Sequence, residues 1–291
     1  MEKIHPLLYN GKVVLKIEAV YDYRQGGEIL GKAIAIFNQK GGVGKTTTNI
    51  NLAACLAIKG KKILILDIDP QGNTTSGIGV AMGAAKKRLD KTVYEILIDD
   101  RLAPEKAIMH TAIKNLDIIP ADMRLAGAEV ELVQLEGRDK RLKKAIEKLK
   151  PKYDFILIDC PPSLGLLSIN SLTAVDSVLI PMQCEFYALE GVSQLMSTIE
   201  LVKKSLNPNL EIQGVILSMF DGRQNLSIQV VEEVKKYFRE KVYTTVIPRN
   251  VRLAEAPSHG LPITEYDPKS KGAEAYLEFA EEFLELESEM K

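Results

Sequence analysis

The sequence predicts a single α/β domain in which a mostly parallel central sheet is flanked by helices, and three observations lead there. From Lys32 onward, short β-rich runs alternate with helical patterns, the order that a parallel sheet with crossover helices imposes on a chain. Several of these runs are apolar without alternation, as suits strands covered on both faces. A glycine-rich run lies between the first of these strands and the first helix. With 291 residues, 46% hydrophobic and 26% charged, the chain can bury one large core of this kind.

Residues 1–30 stand apart as an N-terminal extension of unassigned role. HPLLYNGKVVLKIEAVYDYRQGG reads as a short strand or two between turn signals, upstream of the first core strand. It fits either a hairpin added at the sheet edge or a start placed ahead of a natural beginning near Leu30. Core strands are expected at 33–38, 62–67, 116–121, 155–160, 177–182, 214–220 and 243–248. Between them, helical periodicity is clearest at 123–135, 138–150, 188–206, 226–240 and 272–290. A further helix opens at Thr46, and Gly60 follows it as a C-terminal stop.

Composition removes several classes of function. A formal net charge of −1 argues against coating nucleic acid by overall charge, so any such contact needs a local patch. Cys55, Cys160 and Cys184 are far apart and form no CxxC pair, which fits a reducing cytosol without a disulfide framework or zinc site. His5, His110 and His259 are equally scattered. No apolar run approaches the roughly 20 residues needed to span a bilayer, and no signal-peptide core is evident at the N-terminus. A cytoplasmic protein is expected.

The run QKGGVGKTTT, Gln39 to Thr48, follows an expected strand and opens an expected helix. In that context a glycine-rich turn aims backbone N–H groups and a helix N-terminus at phosphate oxygens. Gly41, Gly42 and Gly44 allow close approach and positive φ, with Val43 between them. Lys45 supplies a point charge to the β- and γ-phosphates, Thr46 a hydroxyl to Mg²⁺, and Thr47 continues the cradle into the helix. ATP and Mg²⁺ are therefore the expected cofactors of a P-loop NTPase fold. Two acidic segments complete the site. ILILDIDPQG ends a strand with Asp67 and Asp69, and ILIDCPPSLG ends another with Asp159, where parallel sheets place ligands. Such groups hold hydrated metal and position water, because phosphoryl transfer needs little covalent help.

One departure from the common GxxxxGK[ST] pattern is informative, since Gln39 replaces its first glycine and an extra lysine, Lys40, precedes the double glycine. KGGVGKTT resembles the deviant Walker A motif of the ParA/MinD superfamily. From residue 31 to the end, DIDPQGNTTSG, AGAEVEL, IDCPPSLG, QCEFYALEG, VIPRNVRLAEAPSHG and YDPKSKGAEAYLE resemble chromosomal ParA (Soj) segments in the same order. The resemblance implies a ParA-type ATPase domain over 31–291. It makes Lys40 the residue that reaches a partner's phosphates across a homodimer, Asp69 the residue that orients the attacking water, Asp159 the Walker B aspartate, and Asp67 a neighbour of the metal shell. It puts Pro248 and Asn250 at the adenine, and Arg223 and Arg252 on DNA phosphates. It further implies an ATP-switched homodimer that binds DNA without sequence preference on the nucleoid, partnered by a ParB/Spo0J-like centromere-binding protein.

Two other functions share parts of this pattern. A MinD-like membrane ATPase uses the same nucleotide motifs, but its attachment needs a basic amphipathic tail. The tail here, EEFLELESEMK, is acidic, and an anionic bilayer repels it, so no membrane partner is expected. A cluster-carrying protein like the nitrogenase iron protein needs cysteines placed to bridge two subunits; Cys160 lies in the Walker B segment and Cys55 in the first helix.

Overall fold

The structure, a computed structural model, describes residues 3–9, 12–18, 31–80, 89–185 and 188–289. In the N-terminal segment β1 (Lys3–Tyr9) and β2 (Lys12–Glu18) pair antiparallel, with Lys3 opposite Glu18 and Tyr9 opposite Lys12. They form a two-stranded sheet of their own and not an extra edge on the main sheet.

The main domain opens with β3 (Lys32–Ile36), α1 (Lys45–Ile58), β4 (Ile63–Asp67) and α2 (Asn73–Gly77). There follow α3 (Val93–Ile98), β5 (Met109–His110), β6 (Leu116–Ile119), α4 (Leu125–Leu132), α5 (Arg141–Leu149) and β7 (Phe155–Asp159). Next come α6 (Leu166–Ala174), β8 (Ser177–Gln183), α7 (Ala188–Ser205), β9 (Glu211–Phe220) and α8 (Asn225–Phe238). The chain closes through β10 (Val242–Pro248), α9 (Val251–Glu255), α10 (Ile263–Tyr266) and α11 (Lys271–Glu289). All seven expected strands occur. The last expected helix matches except for position 290, which lies outside the described residues.

The strands form one eight-stranded sheet in the order β10-β9-β8-β3-β7-β4-β6-β5, parallel except for the short antiparallel β5. Its side chains divide between two cores by simple alternation. Ala33 and Ala35, Leu64 and Leu66, and Ile156 and Ile158 face one core with α3 to α8; Ile34 and Ile36, Ile63 and Ile65, and Leu157 face the other with α1 and α11. That double coverage is why the strands read as unbroken apolar runs. Helix α5 buries Leu142, Ala145, Ile146 and Leu149, the i, i+3, i+4, i+7 stripe of an amphipathic helix.

Helix α11 is built into the second core, not left as a free tail. Phe279 meets Tyr243 edge-on at 4.8 Å, and Phe283 meets Phe155 at 5.3 Å. Near its end the buried Glu287 accepts hydrogen bonds from Lys32 Nζ at 2.6 Å and Gln213 Nε2 at 2.7 Å. Among the described residues no helix is long and apolar enough to cross a membrane.

Because β7 lies between β3 and β4, the loops leaving β3, β4 and β7 converge at the carboxyl end of the sheet. Such an edge is where open α/β sheets take ligands.

Candidate functional site

The phosphate loop is shaped by glycine and tied down by distant side chains. Gly42 and Gly44 have φ of 73° and 92°, in the left-handed region that costs other residues energy. A Cβ built on Gly41 or Gly42 would meet nothing within 4 Å, so the loop borders open space of the kind a ligand fills. Gly44 is the N-cap of α1, and no side chain caps that helix end. Its first N–H groups are thus free for an anion, with the helix dipole in the same sense.

Three side-chain hydrogen bonds tie the loop and its entry to distant parts of the chain. Ser218 Oγ donates to the Val43 carbonyl at 2.8 Å, Asn38 Nδ2 to the Pro181 carbonyl at 2.9 Å, and Gln39 Nε2 to Thr198 Oγ1 at 2.8 Å. Asn38 Oδ1 also accepts from the Lys40 backbone N–H at 3.0 Å.

Within the loop, the buried Lys45 donates to the Lys40 carbonyl at 3.1 Å. Burial lowers its pKa, and the nearby Asp159 carboxylate acts in the opposite direction. Lys40 itself is half exposed at the rim, with Nζ 3.7 Å from Glu185. It does not line the cleft that the loop encloses.

Asp67 and Asp159 are register partners on the adjacent strands β4 and β7, and both are fully buried. Burial raises both carboxyls above the usual range, and for Asp67 the neighbouring Asp159 adds to the effect. Their hydrogen bonding differs. Asp159 Oδ2 accepts from Thr46 Oγ1 and from Thr74 Oγ1, each at 2.8 Å, while its Oδ1 is buried without a partner among the described residues. Asp67 Oδ2 accepts from the backbone N–H and hydroxyl of Thr75 at 2.8 and 2.7 Å, and Oδ1 from the Asp69 N–H at 3.2 Å.

An unpartnered buried carboxylate oxygen beside a threonine hydroxyl suits a hard divalent cation such as Mg²⁺, which prefers oxygen ligands. Asp69 borders the same cleft, with Oδ1 accepting from the Gln71 N–H at 2.9 Å.

The cleft holds about 570 Å³ and is lined by Gly41, Gly42, Lys45, Thr46, Asp69 and the 161–163 segment, among others. A second pocket of about 320 Å³ adjoins it, sharing Gly44, Thr47 and Met219. Its walls include Pro248, Asn250, Leu253 and Tyr276. A larger compartment bordered by Lys45, Thr46 and Asp69 and a smaller, apolar one bordered by Ile247, Pro248 and Leu253 therefore meet at the N-terminus of α1. Pro248 and Asn250 are both in the second one, where Asn250 Oδ1 also caps α9 by accepting from the Arg252 N–H at 2.8 Å.

Arg223 and Arg252 lie off this site, Arg223 on the loop that follows β9 and Arg252 in the short helix α9 that follows β10. Both are exposed and already ion-paired. Arg223 contacts Asp221 at 2.8 Å; Arg252 contacts Glu255 at 2.9 Å and Asp267 at 3.4 Å. The three cysteines are buried free thiols, and burial raises Cys55 and Cys160 to about 12 and Cys184 to about 11. None is at the surface, where a subunit-bridging cluster would need it.

Sequence reasoning missed Thr74, Thr75, Ser218 and Met219. The first two stand inside the quoted DIDPQGNTTSG string, and only their neighbours drew attention. Met219 carried no signal, yet it takes φ of 52° at the junction of the two compartments.

Comparison with known proteins places this arrangement. A family model for an AAA domain matches residues 31–212. The sporulation initiation inhibitor protein Soj of Bacillus subtilis is 62% identical over 253 residues, covering 87% of this chain and 98% of that protein. The chromosome partitioning protein ParA of Myxococcus xanthus is 52% identical, covering 91% of this chain and 92% of its own. Among solved structures, cobyrinic acid a,c-diamide synthase of Mycobacterium smegmatis superposes with a TM-score of 0.74 at 37% identity, covering 87% and 93% of the two chains. That protein has been solved with ADP and magnesium, and with an ATP analogue and magnesium.

Proposed function

This chain belongs to the ParA/Soj family of chromosome-partitioning ATPases, and from that premise we propose that it is an ATP-driven switch in which two copies close into a DNA-binding dimer. It is an ATPase that uses ATP and Mg²⁺. The observation that carries the nucleotide assignment is the meeting of the two compartments at Gly44, Thr47 and Met219, which suits a phosphate chain continuous with a base.

In this reading the backbone N–H groups of residues 41 to 46 and the Lys45 ammonium hold the phosphates, while Pro248 and Asn250 hold the adenine. Thr46 and Asp159 are the groups that would hold Mg²⁺, directly or through its waters. Bound Mg²⁺ neutralises charge on the phosphate oxygens. Asp69 orients the attacking water. No covalent intermediate is needed, so the residues act by position and charge.

The switch rests on Lys40. A lysine at the rim that does not line its own cleft is available to a second copy, and by family resemblance its target is the partner's phosphates. The closed dimer presents two copies of the Arg223 and Arg252 surface, which adds phosphate contacts without a second orientational cost. A centromere-binding partner of the ParB/Spo0J kind then stimulates hydrolysis and releases the DNA.

Co-sedimentation with duplex DNA in ATP, ADP or no nucleotide tests this reading. Pelleting only with ATP is expected. Equal pelleting in all three, or none in any, would overturn the DNA switch. Liposome co-sedimentation with ATP tests the MinD-like alternative, and no pelleting is expected.

A further inference from the structure

The two buried carboxylates of the site differ in how their oxygens are occupied. Asp159 keeps one oxygen unpartnered, whereas both oxygens of Asp67 are taken by protein donors. The donors that make this difference come largely from two successive residues, Thr74 and Thr75, on the short helix α2. Both threonines are buried. Successive helical residues project about 100° apart, so the pair can reach two strands at once. Asp67 and Asp159 stand side by side on such strands.

We propose that Thr74 and Thr75 are positioning residues that divide the two carboxylates into unlike tasks, Thr74 holding Asp159 with one oxygen free for the metal and Thr75 locking Asp67 as an anchor of the Asp69 turn. Thr46 and Thr74 grip the same oxygen of Asp159 from α1 and α2. That fixes the side chain and leaves Oδ1 alone to face a cation.

On the other side, both oxygens of Asp67 are held by protein donors. Its Oδ1 accepts from the Asp69 N–H, and the Thr75 hydroxyl also accepts from the Ala121 N–H at 2.9 Å. The segment carrying Asp69 is thus tied at its start to Asp67 and, five residues later, to Asp159 through Thr74. Asn49 extends the arrangement, its Nδ2 lying 3.4 Å from the Thr74 hydroxyl. Outer partners that orient a metal ligand in this way are commonly worth 10- to 100-fold in metal affinity.

The inference rests on the ATP and Mg²⁺ reading, and the test separates the two. Binding of a fluorescent, non-hydrolysed ATP analogue is titrated with Mg²⁺ for the wild-type chain, Thr74→Val and Thr74→Ser. Wild-type binding that ignores Mg²⁺ would remove the reading itself. Given a wild-type response, Thr74→Val should raise the Mg²⁺ concentration for half-maximal enhancement about 10-fold and leave affinity without Mg²⁺ unchanged. Thr74→Ser, which keeps the hydroxyl, should restore the wild-type value. A Mg²⁺ response of Thr74→Val equal to wild type overturns the proposal, and so does a serine variant as impaired as the valine. If Thr74→Val does not fold, Thr74→Ala takes its place against the same serine control. For Asp67, Asp67→Asn should lower thermal stability while moving the Mg²⁺ midpoint less than Asp159→Asn does; the reverse order would make Asp67 the ligand.

Discussion

Lys40 and Glu185 face each other at the rim of the phosphate cleft, amine to carboxylate at 3.7 Å, and the same carboxylate lies 3.8 Å from Arg249 beside the base pocket. An exposed pair of this kind is weak, so it holds Lys40 without committing it. Lys45, five residues on, is buried in the cleft. In the proposed switch the two lysines divide the work. Lys45→Ala should reduce affinity for an ATP analogue by at least about tenfold, as expected from losing a charge-assisted contact of roughly 1.5–3 kcal/mol. Lys40→Ala should bind the analogue like wild type but remain monomeric with ATP by size-exclusion chromatography. A Lys40→Ala protein that dimerises normally removes the cross-subunit role.

Asp69→Ala should give the opposite phenotype. The substitution takes away water positioning and leaves the loop, Lys45 and Asp159 in place. ATP should still drive dimerisation, and phosphate release should fall by about 100-fold or more, in the range general for a positioned proton-handling or water-orienting group. Because Asp69 Oδ1 also accepts from Gln71, Asp69→Asn serves as the control for loop shape. Wild-type turnover by both variants would move the water-orienting role elsewhere.

The phosphate loop and the three strand-end aspartates were legible because each sits in a contiguous string at a strand end, where chain order and spatial order coincide. The partners of that loop were not. Ser218 holds the Val43 carbonyl across 175 residues of sequence, and a serine in a β-strand carries no local mark of such a contact. Short helices were lost for a related reason. Helix α6 buries seven of its nine residues, Ser168, Asn170, Ser171 and Thr173 among them, so polar and apolar positions do not sort by face and leave no period to detect. Helix α3 did carry a signal: Thr92 and Glu95 form a reciprocal capping box, legible as T-x-x-E ahead of an apolar run. Helices α9 and α10 span only five and four residues, less than two turns, and periodicity says nothing over that length.

The buried Glu287 provides a test of stability away from the site. Its carboxylate joins Lys32 at the start of β3 to Gln213 on β9, closing α11 onto the edge of the sheet opposite the nucleotide cleft. Glu287→Ala leaves the Gln213 amide buried without this partner, which typically costs about 1–3 kcal/mol. Urea unfolding should show that loss as a lower midpoint with little change in slope. ATP analogue affinity should be unchanged, because Lys32 and Gln213, which hydrogen-bond Glu287, border neither compartment of the site. Glu287→Gln should recover part of the loss.

The DNA contacts are the last prediction. Arg223 and Arg252 each enter any complex already neutralised, one by Asp221 and the other by Glu255 and Asp267. The arginines of these pairs are exposed, so exchanging a carboxylate for a phosphate is a modest step, and the carboxylates set its cost. Asp221→Ala should therefore tighten DNA binding, whereas Arg223→Glu and Arg252→Glu should abolish it and leave ATP-driven dimerisation intact. A dimer offering two such arginines per subunit should show a slope of log affinity against log salt of roughly −4, at about −0.9 per neutralised phosphate. Sequence should matter little, since phosphate contacts position a protein without reading bases. Salt titration of the ATP-bound protein on two unrelated duplexes measures both properties. A flat salt dependence, or unchanged binding by Arg252→Glu, would move the DNA surface elsewhere on the molecule. If Asp221→Ala binds no tighter while Arg223→Glu loses binding, the acidic substitution acts by repulsion and Arg223 makes no phosphate contact of its own.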